Sequence, residues 1–404
     1  ADYCSGACIA MPTELFRELG GFDTHYAPAY YEETDLACRV RAKGMKVRVQ
    51  AGATIVHHEG VTSGTDLASG TTRYQAVNRE KFLERWKDQL PSFPSPIVDP
   101  EDRAEIRRAR DHHLKGRILV IDAYTPEPNQ DSGSLRLVYL LKCMRDLGYG
   151  VTFMPDNQAW AGDYTSDLQK IGIEAVYNPW LQSLQKFFSE RGNEFDFVMV
   201  SRHYVASKYL GLVRRHCPDT RFLFDTVDLH YLREERMAEL EDSLPLKRTA
   251  QQTKRSELAV INASDATLVV SPVEKTVLEE AAPGARVHII SNVHEVVGSQ
   301  KSYAERKDLF FVGGYQHPPN VDAAQWFVGS IWPLIREQLP DVEFHLIGSK
   351  APDSVRALDG NGVRFHGFVE SLDPVSYTHL RAHETASFIS YAVFCLKKGG
   401  GGGG

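Results

Sequence analysis

No apolar run in this chain comes near the roughly 20 residues that a membrane-spanning helix needs. No signal-peptide pattern is visible either. Its six cysteines stand apart at positions 4, 8, 38, 143, 217 and 395, and none forms Cys-x-x-Cys. Cys4 and Cys8 have no partner ligands at zinc-site spacing. A disulfide scaffold and a structural zinc site are therefore disfavoured, and reduced thiols in a cytoplasm are the natural expectation. Positive charge is not in excess: 46 Lys and Arg face 53 Asp and Glu, a net charge of −7. That argues against a general binder of nucleic acid or membrane surface. No Gly-x-Gly-x-x-Gly follows Ile121 or Val312, which disfavours a dinucleotide-dependent oxidoreductase. What remains is a chain of 404 residues, long enough for two or three α/β domains.

The stretch that organises the first part runs from Gly20-Gly21-Phe22-Asp23 through Tyr30-Tyr31-Glu32-Glu33-Thr34-Asp35-Leu36 to Arg39 and Arg41. Glu32, Glu33 and Asp35 place three carboxylates directly before a helical pattern from Glu33 to Lys43, closed by Gly44. One reading is electrostatic: carboxylates are favoured at a helix N-terminus. The other is a site, with a Gly-Gly turn, an aromatic pair and His57-His58 in one short unit. Met45 to Val49 alternates apolar and charged residues, which predicts a half-buried strand, and Ala53 to Val56 is strand-like. Gly60 to Thr72 reads as a loop, either closing over substrate or plain surface. Asn78 to Leu90 has helical period, with Phe82, Trp86 and Leu90 on one core-facing stripe.

Ser5-Gly6-Ala7, Gly20-Gly21-Phe22-Asp23, Glu32-Glu33-Thr34-Asp35-Leu36, Arg39 and His57-His58-Glu59-Gly60 together resemble the C-terminal half of a family 2 glycosyltransferase of the GT-A fold. The resemblance covers about residues 1 to 65. It implies a nucleotide-sugar donor, a divalent metal (Mn or Mg), and a carboxylate base for the acceptor hydroxyl. Glu33 would be that base, with Glu32 and Asp35 supporting it or holding the acceptor. His57 and His58 would be metal ligands, and Gly6, Gly21 and Asp23 would line the acceptor site. A structural role for the histidines stays open, because His is more often a surface residue than a ligand. The family's nucleotide-binding half and its Asp-x-Asp motif are expected ahead of Ala1.

Pro91, Pro94, Pro96 and Pro100 then break regular structure and mark the expected domain boundary. Asp99-Pro100-Glu101 predicts the start of a solvated linker helix reaching Lys115. At Arg117 a new rhythm begins. Ile118 to Ile121 is a continuous apolar run, as in a parallel strand covered on both faces. It is followed by Asp131-Ser132-Gly133-Ser134 and a helix from Leu135 to about Leu147. Free amides at that helix start suit an anion or a sugar, and Gly133 and Ser134 are the candidate binding residues. Further strands are expected at Phe195–Val200, Arg221–Phe224, Ala266–Val270 and Val287–Ile290, the βαβ alternation of a doubly wound sheet. A second sheet is expected from Leu309–Val312, Glu343–Ile347 and Val363–Phe365.

Asp225-Thr226-Val227-Asp228-Leu229-His230 ends one of these strands with two carboxylates and a histidine, at the position where open α/β sheets bind ligands. Asp228 alone reads more simply as a helix cap. With Ser271-Pro272, Ser291-Asn292-Val293, Phe311-Val312-Gly313-Gly314, Pro319-Asn320-Val321-Asp322-Ala323 and Leu346-Ile347-Gly348, this stretch resembles a family 4 glycosyltransferase of the GT-B fold over residues 117 to about 374. The resemblance implies two Rossmann-like domains and no metal. Acceptor would lie on the first domain, near Asp228 and His230, and donor on the second, near Gly313, Gly314 and Asn320. The family's paired-glutamate donor motif should follow residue 374 and is absent. Val375 to Gly404 instead resembles translated sequencing-adapter read-through with a glycine run, and is expected to carry no function.

The fold class expected is thus α/β, a partial GT-A unit (1–90), a Pro-rich and charged linker (91–116), a Rossmann-like acceptor domain (117–300), a truncated donor domain (301–374) and a tail (375–404). The function implied is sugar transfer from a nucleotide-sugar to a glycan or lipid-linked acceptor, as in surface polysaccharide or O-antigen synthesis. The expected location is the cytoplasm or the inner membrane face, with peripheral membrane association and no nucleic acid partner. A sugar-nucleotide-binding scaffold without catalysis is the alternative.

Overall fold

The computed structural model describes residues 2–50, 53–56, 73–95, 97–293, 308–316 and 318–369. His57, His58, the loop 60–72 and the tail 375–404 lie outside the described residues. The chain forms two compact units that part between His113 and Leu114.

In the first unit, α1 (Thr13–Glu18), α2 (Glu32–Ala42), α3 (Tyr74–Trp86) and α4 (Arg103–Asp111) are the α-helices of the described residues. Phe82 and Trp86 of α3 are buried with Tyr26 and Cys38, so the apolar stripe read from the sequence does face a core. Two expected strands are not there. Residues 45–50 and 53–56 do not take strand conformation, and Val49 and Val56 are exposed. Alternation is a local pattern, whereas a strand is made by its ladder. The linker differs too. Residues 91–113 belong to the first unit, and α4 is capped by Asp102 rather than Asp99. Asp102 accepts the amides of Ala104 and Glu105, while Glu105 reaches back to the amides of Val98 and Asp99. Such a reciprocal pair of side-chain caps fixes the helix start.

The second unit holds two parallel sheets among the described residues. The first contains β1 (Arg117–Asp122), β2 (Gly150–Pro155), β3 (Glu174–Ala175), β4 (Phe197–Ser201), β5 (Arg221–Asp225), β6 (Ala266–Val269) and β7 (Val287–Ile289). Their spatial order is β3-β2-β1-β4-β5-β6-β7. The apolar pattern does not announce β2 and β3. Strand order reverses between β1 and β4, so a crevice opens beyond the carboxyl ends of those strands. Leu119, Val120 and Ile121 are wholly buried, as a strand covered on both faces requires. Helices α5 (Ser132–Asp146), α6 (Asp163–Lys170), α7 (Leu184–Arg191), α8 (His203–His216), α9 (His230–Leu240), α10 (Leu244–Ala263) and α11 (Pro272–Ala281) supply the cover. Leu119, Ile121, Val198 and Phe222 pack with Phe188 and Tyr209 on one side, and Ile118, Val120 and Met199 with Leu137 and Leu141 on the other.

The second sheet is β8 (Leu309–Val312), β9 (Phe344–Ile347) and β10 (Val363–Gly367), in the order β10-β9-β8. Its helices are α12 (Pro318–Trp326), α13 (Trp332–Gln338) and α14 (Asp353–Arg356). Both sheets match the strand runs expected from the apolar segments, apart from β2 and β3.

Candidate functional site

In the first unit the acidic stretch is built on left-handed backbone. Tyr30 and Tyr31 have φ of 76° and 74°, unusual for bulky residues, immediately before α2. Buried Asn78 of α3 holds them there by donating its side-chain amide to the carbonyls of Tyr26 (2.6 Å), Ala29 (2.9 Å) and Tyr30 (3.2 Å). Strain of this kind persists only where the surroundings enforce it, and it concentrates at functional sites.

The three carboxylates then separate into different roles. Asp35 is wholly buried. It accepts from Arg39 Nε at 2.7 Å, Trp86 Nε1 at 2.9 Å and the Tyr26 hydroxyl at 3.4 Å, with Arg85 Nε at 3.3 Å. Arg39 in turn donates to the carbonyls of Leu19 and Gly21. The Asp35 oxygens face the interior and are taken by cations and donors. Asp23 is engaged as well. It caps the short 3-10 turn Thr24–Tyr26 through the His25 amide and pairs with Arg85, and both hold its carboxyl below the usual range. Gly21 serves through its backbone, with φ of 73° and its carbonyl on Arg39.

Glu33 is different. It is half-buried, and burial raises its pKa, with neighbouring Glu32 adding to the rise. Gly6 lies against it, so that a Cβ there would touch Glu33 Cγ at 3.5 Å. Glu32 keeps one buried oxygen without a hydrogen bond among the described residues. Among those residues no group of three or more His, Cys, Asp or Glu could hold a metal ion. The expected ligands His57 and His58 are outside them. With Asp23 and Asp35 engaged by arginines, Glu32 and Glu33 alone are too few ligands for a divalent cation.

In the second unit the carboxyl ends of β1, β4 and β5 carry charge. Asp122 pairs with Arg202 at 2.8 Å, and burial pushes its pKa up despite that partner. Asp225 and Arg136 form a buried two-point pair. Arg202 (φ 68°) and Val227 (φ 63°) put left-handed backbone just past β4 and β5. A Cβ on Gly133 would meet Val227 Cγ1 at 3.4 Å, so the start of α5 lies beside the turn after β5. Ser134 is engaged by Asp131, through both its amide (2.8 Å) and its hydroxyl (2.7 Å).

Asp228 is not the cap of α9. It faces His230 Nε2 at 3.1 Å and is gripped by Arg233. Two glutamates from other helices take the capping role. Glu257 of α10 accepts the amides of His230 (3.4 Å) and Tyr231 (3.0 Å), and Glu274 of α11 accepts those of Leu229 (3.1 Å) and Val270 (3.0 Å). Both are buried, and burial lifts the pKa of Glu257 to about 7. Glu257 does not signal this role in the sequence, because it caps a helix it does not belong to, whereas Glu274 also closes the start of its own α11 together with Ser271. His203, whose ring lies 4.9 Å from that of His230, was also missed. A histidine opening a helix after a strand was its only local sign.

At the carboxyl ends of β8 to β10 the backbones crowd. A Cβ on Gly348 would sit 1.8 Å from the Gly313 carbonyl oxygen, and one on Gly313 would meet the Asn320 amide at 2.9 Å. Asn320 donates to the Gly314 carbonyl at 3.0 Å, so its side chain shapes the glycine turn from within. Glycine is required here by the approach of chain to chain.

The chain matches no curated protein. Among solved structures it is similar to Alr3699/HepE of Anabaena in complex with UDP and glucose (16% identity, 63% of this chain and 70% of that chain, TM-score 0.40). It is also similar to an alpha-glucosyltransferase in complex with UDP-glucose and DNA containing an abasic site (13%, 65% and 71%, TM-score 0.40). A third is MnaA of S. aureus with UDP (13%, 65% and 72%, TM-score 0.35). A family description, "Glycosyl transferases group 1", matches residues 306–387, which takes in the second sheet and extends into the stretch set apart as adapter-like. That match covers about a fifth of the chain and none of the first sheet.

Proposed function

We propose that this chain is part of a glycosyltransferase that moves a sugar from a nucleotide-sugar donor to a glycan or lipid-linked acceptor. The observation that carries the reading is the family match over residues 306–387, which coincides with the glycine-crossed ends of β8 to β10. There the amide of Gly314 would meet the donor's diphosphate, the amides of Gly313 and Tyr315 being given to the Ile347 and Ser349 carbonyls, since glycines without a Cβ allow close approach to an anion. The acceptor would lie beyond the first sheet, near Gly133, Ser134, Asp228 and His230, and this unit would work without a metal.

In the first unit Glu33 is the candidate base. Burial raises its proton affinity, and the other acidic groups nearby are either engaged (Asp23, Asp35) or adjacent (Glu32). Gly6, which lies against Glu33, would line the acceptor side with Gly21 and Asp23. A divalent Mn or Mg held by His57 and His58 would supply charge for the donor phosphates. Surface polysaccharide or O-antigen synthesis at the cytoplasmic face of a membrane is the context we propose. No helix of the described residues is long and apolar enough to cross one.

Calorimetric titration with UDP-glucose, UDP and NAD tests the reading. UDP compounds should bind and NAD should not, and Gly313→Val should abolish the binding. Binding of NAD with no response to nucleotide-sugars would overturn the proposal. Nucleotide-sugar binding with no transfer to any acceptor by the full-length protein would favour the scaffold.

A further inference from the structure

A group of ionisable side chains gathers where β4 and β5 end. His203 opens α8, His230 opens α9, and their rings meet edge to face. Tyr204 flanks them, its ring 6.0 Å from that of His230. Asp228 lies on one side, already gripped by Arg233, and Glu234 stands one helical turn after His230 on the same face. Three atoms of this group are buried and make no hydrogen bond among the described residues: His203 Nδ1, His230 Nε2 and Glu234 Oε2. Asp228 Oδ1 is 3.1 Å from His230 Nε2, yet not aligned with it as a hydrogen bond. Buried polar atoms are almost always satisfied, because leaving one bare forfeits its hydration with nothing in return. Three bare atoms at one place mark a location shaped for a polar guest. The left-handed turns at Arg202 and Val227 border the same place.

The chemistry narrows the guest. Arg233 already faces Asp228 and Arg202 is paired with Asp122, while Glu234 adds a further carboxylate, so the place offers no spare positive charge for a phosphate. Two imidazoles that can each donate and accept, beside carboxylate acceptors, suit neutral hydroxyl groups. We propose that His203, His230 and Glu234, with Asp228, bind adjacent hydroxyls of an uncharged sugar ring of the acceptor. His203 and Glu234 are the residues added to the acceptor side. The inference rests on the glycosyltransferase reading but is tested apart from it.

The test uses the whole chain with methyl α-glucoside, methyl α-galactoside and methyl α-mannoside, observed by saturation-transfer NMR, while UDP binding is followed by calorimetry. At least one glycoside should bind. Its affinity should fall about tenfold in His203→Gln and in Glu234→Gln, the loss of roughly one hydrogen bond. UDP affinity should stay unchanged in both. The imidazole nitrogen shifts of His203 and His230 should also move when the glycoside is added to the unaltered chain, a readout that needs no variant. Undiminished glycoside binding in both variants, unmoved imidazoles, or UDP binding with no glycoside binding would each overturn the inference. Glycoside binding without UDP binding would leave it standing and defeat the donor reading instead.

Discussion

Arg136 on α5 and Asp225 at the end of β5 form a two-point ion pair with bonds of 2.8 and 2.9 Å, almost wholly out of water. Arg136 Nε also donates to the Ile290 carbonyl just past β7, and Ser201 donates to Asp225, so this pair ties the ends of β4, β5 and β7 to α5. Arg136→Met leaves a buried carboxylate without its cation, and should cost about 3–5 kcal/mol. Urea unfolding of the full chain measures it. The double variant Arg136→Met, Asp225→Asn should recover much of the loss, because no bare charge remains.

Asp35 and Glu33 should respond in opposite ways. Asp35→Ala strands Arg39 and the Trp86 indole in a dry interior, and should lower local stability by about 3 kcal/mol. Hydrogen exchange at the amides of α2 and α3 in the full chain would register the change. Glu33→Gln should leave those amides as protected as before, or more so, above neutral pH. A carboxyl whose pKa is raised by folding contributes stability at low pH that is lost as pH rises through the folded value, and glutamine removes that penalty. Sugar transfer by the full-length protein should nevertheless fall by about 10² or more if Glu33 is the base.

Glu257 gives a pH signature of its own. Its folded pKa of about 7 lies above the ordinary value, so its contribution is fully present below about pH 4.5 and is lost as pH rises through 7. Protection of the Tyr231 amide should decline over that window by on the order of 2–3 kcal/mol. In Glu257→Gln the decline should vanish. A flat profile in the unaltered chain would show that the carboxylate stays charged while capping α9.

Gly348→Ala drives a methyl group into the Gly313 carbonyl, a backbone atom that cannot swing aside. The second sheet should lose about 3 kcal/mol or fail to form, read as lost protection at Phe311 and Leu346. Gly314→Ala meets only the Gln316 side chain, at 3.2 Å, and should cost about 1 kcal/mol or less in fold stability. A large fall in UDP affinity in that second variant, with stability retained, would locate the donor phosphates at Gly314.

Much of the second unit was legible because strands buried on both faces must be apolar throughout, as in Ile118 to Ile121 and Leu309 to Val312. Strand β3 escaped notice because two residues carry no pattern. Strand β2 opens on a glycine and closes on a proline, which read as punctuation. Met45 to Val49 failed in the opposite direction, since its alternation was real but did not become a strand. The simpler reading of Asp228 as a helix cap does not hold, because the acceptors for α9 arrive from α10 and α11.

Periodicity and apolar runs are local properties, and the sequence by itself determined the α/β character that depends on them. The division of labour among like residues was decided only in three dimensions. Asp35 became a buried anchor and Glu33 a half-buried acid with a raised pKa, though two positions apart, because a helix turns them toward different surroundings. Glu257 and His203 acquired their neighbours through chain crossings that no local pattern records.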